Sequence, residues 1–247
     1  MRAARAAVVL VTLAAGAATA TARAVDVGFS PMQILNVEIT PRKLSPTHPT
    51  HVRMSLSGSY QTSDGSHLPA LRELKLEGDR HLRLDLKGEP VCRGAHYDYR
   101  GALEDFCGDA VIGHGELTVE VVFPEEPPMT VTGELSLYNF GRLGRERRLL
   151  ANASFPAPVT GEIPVSITIR RIDKGRYGWR ATASVPKIAG GAGSITGYSV
   201  RIGKRFLTAT CAGGWLQLRA VSNLFDGTTL TGSFIHPCTV SEPHVRQ

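Results

Sequence analysis

The stretch Leu71-Arg-Glu-Leu-Lys-Leu-Glu-Gly-Asp-Arg-His-Leu-Arg-Leu-Asp-Leu-Lys87 decides the fold class. Leu74 and Leu76, then Leu82, Leu84 and Leu86, alternate with charged residues at a period of two. That is the pattern of a strand with one buried and one wet face. Gly78-Asp79 interrupts it with turn chemistry, so Leu71 to Lys87 is expected to form a β-hairpin.

The same alternation extends in both directions. Upstream, Ile34 to Thr40 and His51 to Ser59 read as strands, joined through the Pro-rich segment Pro41 to Pro49. Downstream, Glu116 to Phe123 and Met129 to Tyr138 form a second expected hairpin about the prolines of Pro124 to Pro128. Strands are expected again at Leu149 to Phe155, Pro164 to Arg171, Tyr177 to Val185, Ser194 to Ile202, Arg205 to Cys211, Trp215 to Val221 and Thr228 to His236. Short strands at this spacing predict an all-β chain: a single antiparallel β-sandwich, with a partly open β-barrel as the alternative. Gly141 to Arg148, with Arg142, Arg145, Arg147 and Arg148, reads as a solvated loop.

One segment departs from the strand pattern. Tyr99, Ala102, Leu103 and Phe106 fall at helical spacing, with Asp98 placed to cap the start and Gly108 the end. Cys92 and Cys107 bracket this short helix, whose Tyr99–Leu103–Phe106 face is expected to complete the core. The other cysteines are Cys211 and Cys238. Three pairings are possible; the two that close short local loops, Cys92–Cys107 and Cys211–Cys238, are expected, at roughly 3 kcal/mol each.

Residues 1–24 read as a signal peptide. Arg2 and Arg5 precede an apolar run from Ala6 to Ala18, and Ala22-Arg23-Ala24 supplies a cleavage pattern. The mature chain is then expected to be a single domain over 25–240 with a frayed tail at 241–247, secreted, monomeric and without a transmembrane segment. Removing Arg2, Arg5 and Arg23 from the 28 basic residues leaves 25 against 22 acidic ones, a net +3. So mild a charge argues against a nucleic-acid partner.

Several quoted motifs resemble a family of exported, disulfide-containing all-β proteins of high-GC soil actinobacteria with no established activity. They are His67-Leu-Pro-Ala-Leu-Arg-Glu73, Gly88-Glu-Pro-Val-Cys92, Ala110-Val-Ile-Gly-His-Gly115, Phe155-Pro-Ala-Pro-Val159, Ile169-Arg-Arg171 and Val185-Pro-Lys-Ile-Ala-Gly-Gly191. The resemblance implies compartment, fold and disulfide positions, and supplies no catalytic residue. The chain is shorter than that group around Gly203-Lys-Arg205.

No motif carries a named chemistry. Ser184-Val-Pro-Lys187 has the S-x-x-K spacing, but Pro186 and Gly190-Gly191 preclude the helix that would bring lysine beside serine. Ser194, flanked by Ala192 and Thr196, is not a G-x-S-x-G nucleophile. Glu104-Asp105 and Glu125-Glu126 do not form an opposed carboxylate pair. His96, Asp98, Asp109 and His114 beside the bracketed helix are the only candidates for an acid–base or metal site, and the other histidines read as scattered surface groups. Tyr177, Trp179, Ala181, Ala183 and Val185 are expected to share a core-facing strand face, with Trp215 more exposed. The expected function is a non-enzymatic binding or structural module for a cell-envelope component, glycan or lipid, with no cofactor. The alternative is a hydrolase with a loop-built site near the Cys92–Cys107 helix.

Overall fold

The computed structural model describes residues 31–93, 103–157 and 160–240. The signal peptide, the tail at 241–247, His96 and the Asp98–Ala102 part of the expected helix lie outside the described residues. The strands of the first half are β1 (Met32–Thr40), β2 (Lys43–Leu44), β3 (Thr50–His51), β4 (Arg53–Gln61), β5 (Leu71–Asp79), β6 (Leu82–Leu84), β7 (Val111–Val121) and β8 (Met129–Leu143). Then come β9 (Glu146–Phe155), β10 (Gly161–Lys174), β11 (Tyr177–Ser184), β12 (Gly193–Ile202) and β13 (Leu207–Ala209). The last are β14 (Trp215–Leu224), β15 (Thr229–Pro237) and β16 (Thr239–Val240).

Eleven of them make one sheet in the order β1-β4-β12-β7-β8-β9-β10-β11-β5-β14-β15. Every neighbouring pair in it is antiparallel. The sheet curls until its two edges meet: a Cβ built on Gly232 of β15 would lie 3.8 Å from the Leu35 Cβ of β1. No ladder joins β1 to β15 among the described residues, so this seam is held by side chains. The all-β class holds, and the continuous curled sheet is the partly open barrel form of it.

Alternation places the apolar set inside. Leu35, Val37 and Ile39 of β1, and Leu216, Leu218 and Ala220 of β14, are buried in one continuous core. Full burial of each leucine contributes about 2 kcal/mol. The outer face is polar. The row Arg170–Arg180–Glu77–Arg219–Ser233 runs in register across β10, β11, β5, β14 and β15. That polarity is the inverse of a lipid-embedded barrel.

The Leu71–Lys87 stretch does not form the expected hairpin. Both edges of β5 are taken, by β11 and by β14, so β6 has no place beside it. Asp79, fully buried, ends β5 by accepting from the Arg176 guanidinium and from the backbone N–H groups of His81 and Gln217. The chain then leaves the sheet, and β6 pairs with β13, which also pairs with β3. This three-stranded sheet closes one end of the barrel with Val52, Leu82 and Leu207. The Cys211–Cys238 disulfide fastens the segment after β13 to the residue that follows β15.

The helix α1 (Leu103–Cys107) continues into a 3-10 turn at Gly108–Ala110, and Cys107 is bonded to Cys92 as expected. Its buried stripe differs from the expected one. Leu103, Cys107 and Ala110 pack with Cys92 on Tyr138 and Leu150, a cross-strand pair on the outside of β8 and β9. Phe106 is 74% exposed. In so short a helix the (i, i+4) pair held by the disulfide decides which side faces inward. The arginine segment Gly141–Arg148 is likewise mostly strand: Arg142 opposes Arg147 across the β8–β9 turn. Burial and the Arg142 charge pull the Arg147 guanidinium below its ordinary range.

Glu77 is 1% exposed and lies between two guanidiniums, Arg180 Nε at 2.9 Å and Arg219 Nε at 2.8 Å. Burial pushes its carboxyl up, but the two arginines outweigh burial and hold it below the usual 4.5. A carboxyl depressed in the folded state stabilises the fold above the unfolded value and loses that contribution as pH falls through the folded one. Glu77→Gln is expected to cost about 2–3 kcal/mol at pH 7. In urea titrations from pH 6 to pH 3, the wild-type advantage over the variant should hold above about pH 4.5 and shrink progressively below it.

Candidate functional site

The barrel interior is not filled. An apolar cavity of about 170 Å³ lies among β4, β12, β7, β8, β9, β10, β11 and β5, bounded by Leu56, Leu74, Leu135, Ile167, Trp179 and Tyr198 among others. None of its lining residues is charged. Its origin is in the inward positions of these strands: Ala151 on β9, and Ala181 and Ala183 on β11, put methyl groups where larger side chains would close the space.

Two glycines hold the aromatic walls flat. A Cβ on Gly78 would fall 1.9 Å from Cζ2 of Trp179, and one on Gly58 would fall 2.4 Å from Cζ of Tyr198. Each ring therefore lies on the backbone of the neighbouring strand instead of reaching across the lumen. Trp179 is fixed further by its indole N–H, which donates to Leu82 O at 2.7 Å. Of the expected core-facing row, Trp179, Ala181, Ala183 and Val185 belong to the apolar interior. Tyr177 does not: the register shift between Tyr177 and Trp179 turns it outward, where the Arg219 guanidinium lies 5.2 Å from its ring. Trp215 is half-buried beneath Arg176, whose guanidinium stands 3.4 Å from the ring centroid.

A polar group sits behind the Tyr198 wall. The Tyr60 and Ser222 hydroxyls are 2.8 Å apart, and the Tyr60 and Tyr198 ring centroids are 6.2 Å apart. Burial pushes the Tyr60 phenol up to about 12, against a lowering by Ser222. Burial, and then the neighbouring Tyr60, push Tyr198 well above its ordinary value. The Tyr198 hydroxyl and both amide atoms of Gln33 are buried without a hydrogen-bond partner.

A second cluster lies on the outside, where Ser194 of β12 and Glu120 of β7 are cross-strand partners. His67 bridges them, with Nε2 3.2 Å from Ser194 Oγ and Nδ1 2.7 Å from Glu120 Oε1. The order Ser–His–carboxylate is that of a serine-hydrolase relay. Proton placement argues otherwise for this conformation. Ser194 Oγ donates to Leu68 O at 2.5 Å, so it can only accept from His67, and both ring nitrogens then act as donors. Ser194 is 1% exposed. The three side chains thus clasp the segment before β5 and seat Leu68 in the core.

Of the four residues expected to form a site near the helix, Asp109 and His114 are among the described ones. His96 and Asp98 lie outside the described residues. Asp109 is exposed in the 3-10 turn, and His114 is exposed on β7 with Nδ1 3.4 Å from Ser136 Oγ. Among the described residues no group of three or more His, Cys, Asp or Glu side chains could hold a metal ion. The serine row Ser55, Ser57 and Ser199 lies in an open depression of about 1030 Å³ on the outer face. Comparisons with family models, curated proteins and solved structures found no match to the chain.

Sequence reasoning missed the relay because residues 67, 120 and 194 meet only through strand pairing. The cavity left a trace, in the small residues at inward strand positions. Ser194→Ala should leave the far-ultraviolet spectrum unchanged while making the Gln61–Ser66 segment several-fold more sensitive to limited proteolysis. Unchanged cleavage would show that the clasp does not hold this segment.

Proposed function

We propose that the protein is an exported binding module whose barrel lumen takes a small apolar guest. The observation that carries this reading is the cavity of about 170 Å³ walled entirely by uncharged, predominantly aliphatic and aromatic side chains. An apolar cavity of about 150 Å³ is known in another protein to stay dry and bind benzene, which sets the guest at about six to eight carbons. Export rests on the apolar run Ala6–Ala18 and the Ala22-Arg23-Ala24 pattern, and two disulfides fit an oxidising compartment. No described helix is long and apolar enough to cross a membrane. The motif resemblance to exported actinobacterial all-β proteins is consistent with this reading. Among the expected partner classes, it favours lipid over glycan.

The Ser194–His67–Glu120 geometry favours one second reading, a serine hydrolase opened by displacement of Leu68. A fluorophosphonate probe separates the two. No adduct on Ser194 is expected, and stoichiometric labelling lost in His67→Gln would make hydrolysis the function.

For the carrier reading, calorimetric titration with n-hexane should give saturable one-to-one binding. Ala183→Leu places a larger side chain in the lumen and should abolish that binding while the melting temperature holds or rises. Equal binding by the variant and the wild type would place the guest elsewhere.

A further inference from the structure

The lumen's apolar wall ends at a set of neutral polar groups that the fold itself does not satisfy. Gln33 is 5% exposed, and neither its amide nitrogen nor its amide oxygen has a partner. Tyr198 belongs to both surroundings: its side chain bounds the cavity, and its hydroxyl lies within reach of Gln33 and Tyr60 without a well-formed hydrogen bond to either. Buried donors and acceptors without well-formed hydrogen bonds destabilise a fold, so three such atoms gathered in one place are suited to an occupant's polar group.

The position also suits an opening. Gln33 is on β1, one of the two edge strands, where the barrel closes on β15 without a ladder. Gly58 backs the Tyr198 ring with main chain alone, so no side chain of β4 pins the ring at that position.

We propose that this end of the lumen receives the polar terminus of a neutral amphiphile, an alcohol or carbonyl on a chain of about six to eight carbons, hydrogen-bonded by Gln33 and Tyr198. The inference rests on the lumen reading and specifies its ligand. Gln33 offers a donor and an acceptor, and the Tyr198 hydroxyl offers either, which matches a hydroxyl or carbonyl and needs no counter-charge. A carboxylate is excluded on the same ground. Neither Gln33, Tyr60, Tyr198 nor Ser222 is a cation, and an unpaired charge is not tolerated in so apolar a space. The raised tyrosine ionisations agree: both phenols stay neutral and able to donate.

The test titrates 1-hexanol, n-hexane and hexanoate at pH 7 into the mature protein and into Tyr198→Phe and Gln33→Leu. Tyr198→Phe removes one oxygen and keeps the ring on Gly58. Expected is a loss of about tenfold in 1-hexanol affinity in either variant, with n-hexane affinity unchanged and hexanoate unbound. If both hexane and hexanol bind and the variants leave hexanol unchanged, the polar-end site is overturned while the lumen reading stands, water being the occupant. Hexanoate binding more tightly than 1-hexanol would overturn the neutral class. If none of the three binds the wild type, the lumen reading itself falls.

Discussion

Closing eleven strands into one curled sheet encloses more space than ordinary core side chains fill, and that surplus governs the molecule. A barrel of about eight strands is just packed by its own interior residues, and each added strand widens it. Here the excess is absorbed at one end by the β3-β13-β6 sheet, with Val52, Leu82 and Leu207 inserted into the core. Across β9 and β11 it is not absorbed, because Ala151, Ala181 and Ala183 stand where branched residues would otherwise sit. Trp179 and Tyr198, the two largest side chains at the cavity, lie flat on Gly78 and Gly58 and leave the space open.

The outer face supplies the complementary order. β5 is the strand on which it turns, flanked on both sides and carrying Glu73, Glu77 and Asp79 outward. Cations or donors converge on these carboxylates: Lys75 of β5 and Asn223 of β14 on Glu73, Arg180 of β11 and Arg219 of β14 on Glu77, and Arg176 of the β10–β11 turn on Asp79. A one-residue slip of β11 or β14 would move the arginines to the apolar side and strand Glu77 without partners. The charge row therefore fixes the register that the leucines alone would leave less sharply specified.

What could be read from the sequence was local, and what could not was relational. Period-two alternation identified most strands, and both cysteine pairs followed from short loop closure. The Leu71–Lys87 hairpin failed because turn chemistry at Gly78-Asp79 says only that the chain reverses, not that the returning strand finds a free edge. Tyr177 was misplaced by a single bulge, which inverts the side on which every preceding residue falls. Phe106 was assigned to the core from spacing alone, without knowing that the Cys107 bond turns the helix. His67, Glu120 and Ser194 are far apart in the sequence, and nothing before strand pairing brings the three together. Ala181 and Ala183 do face the core, but alternation alone gives their side and not the volume they leave unfilled.

The seam between β1 and β15 differs in kind from every other join in the barrel. Elsewhere neighbouring strands exchange backbone hydrogen bonds, whereas here Leu35 lies beside Gly232 without a ladder and the His236 side chain of β15 reaches the Ile39 backbone of β1. Apolar attraction is entropic near room temperature and weakens on cooling, while the ladders do not share that dependence. The wall beside Gln33 is therefore the one part of the sheet whose closure rests on the core and not on a backbone ladder.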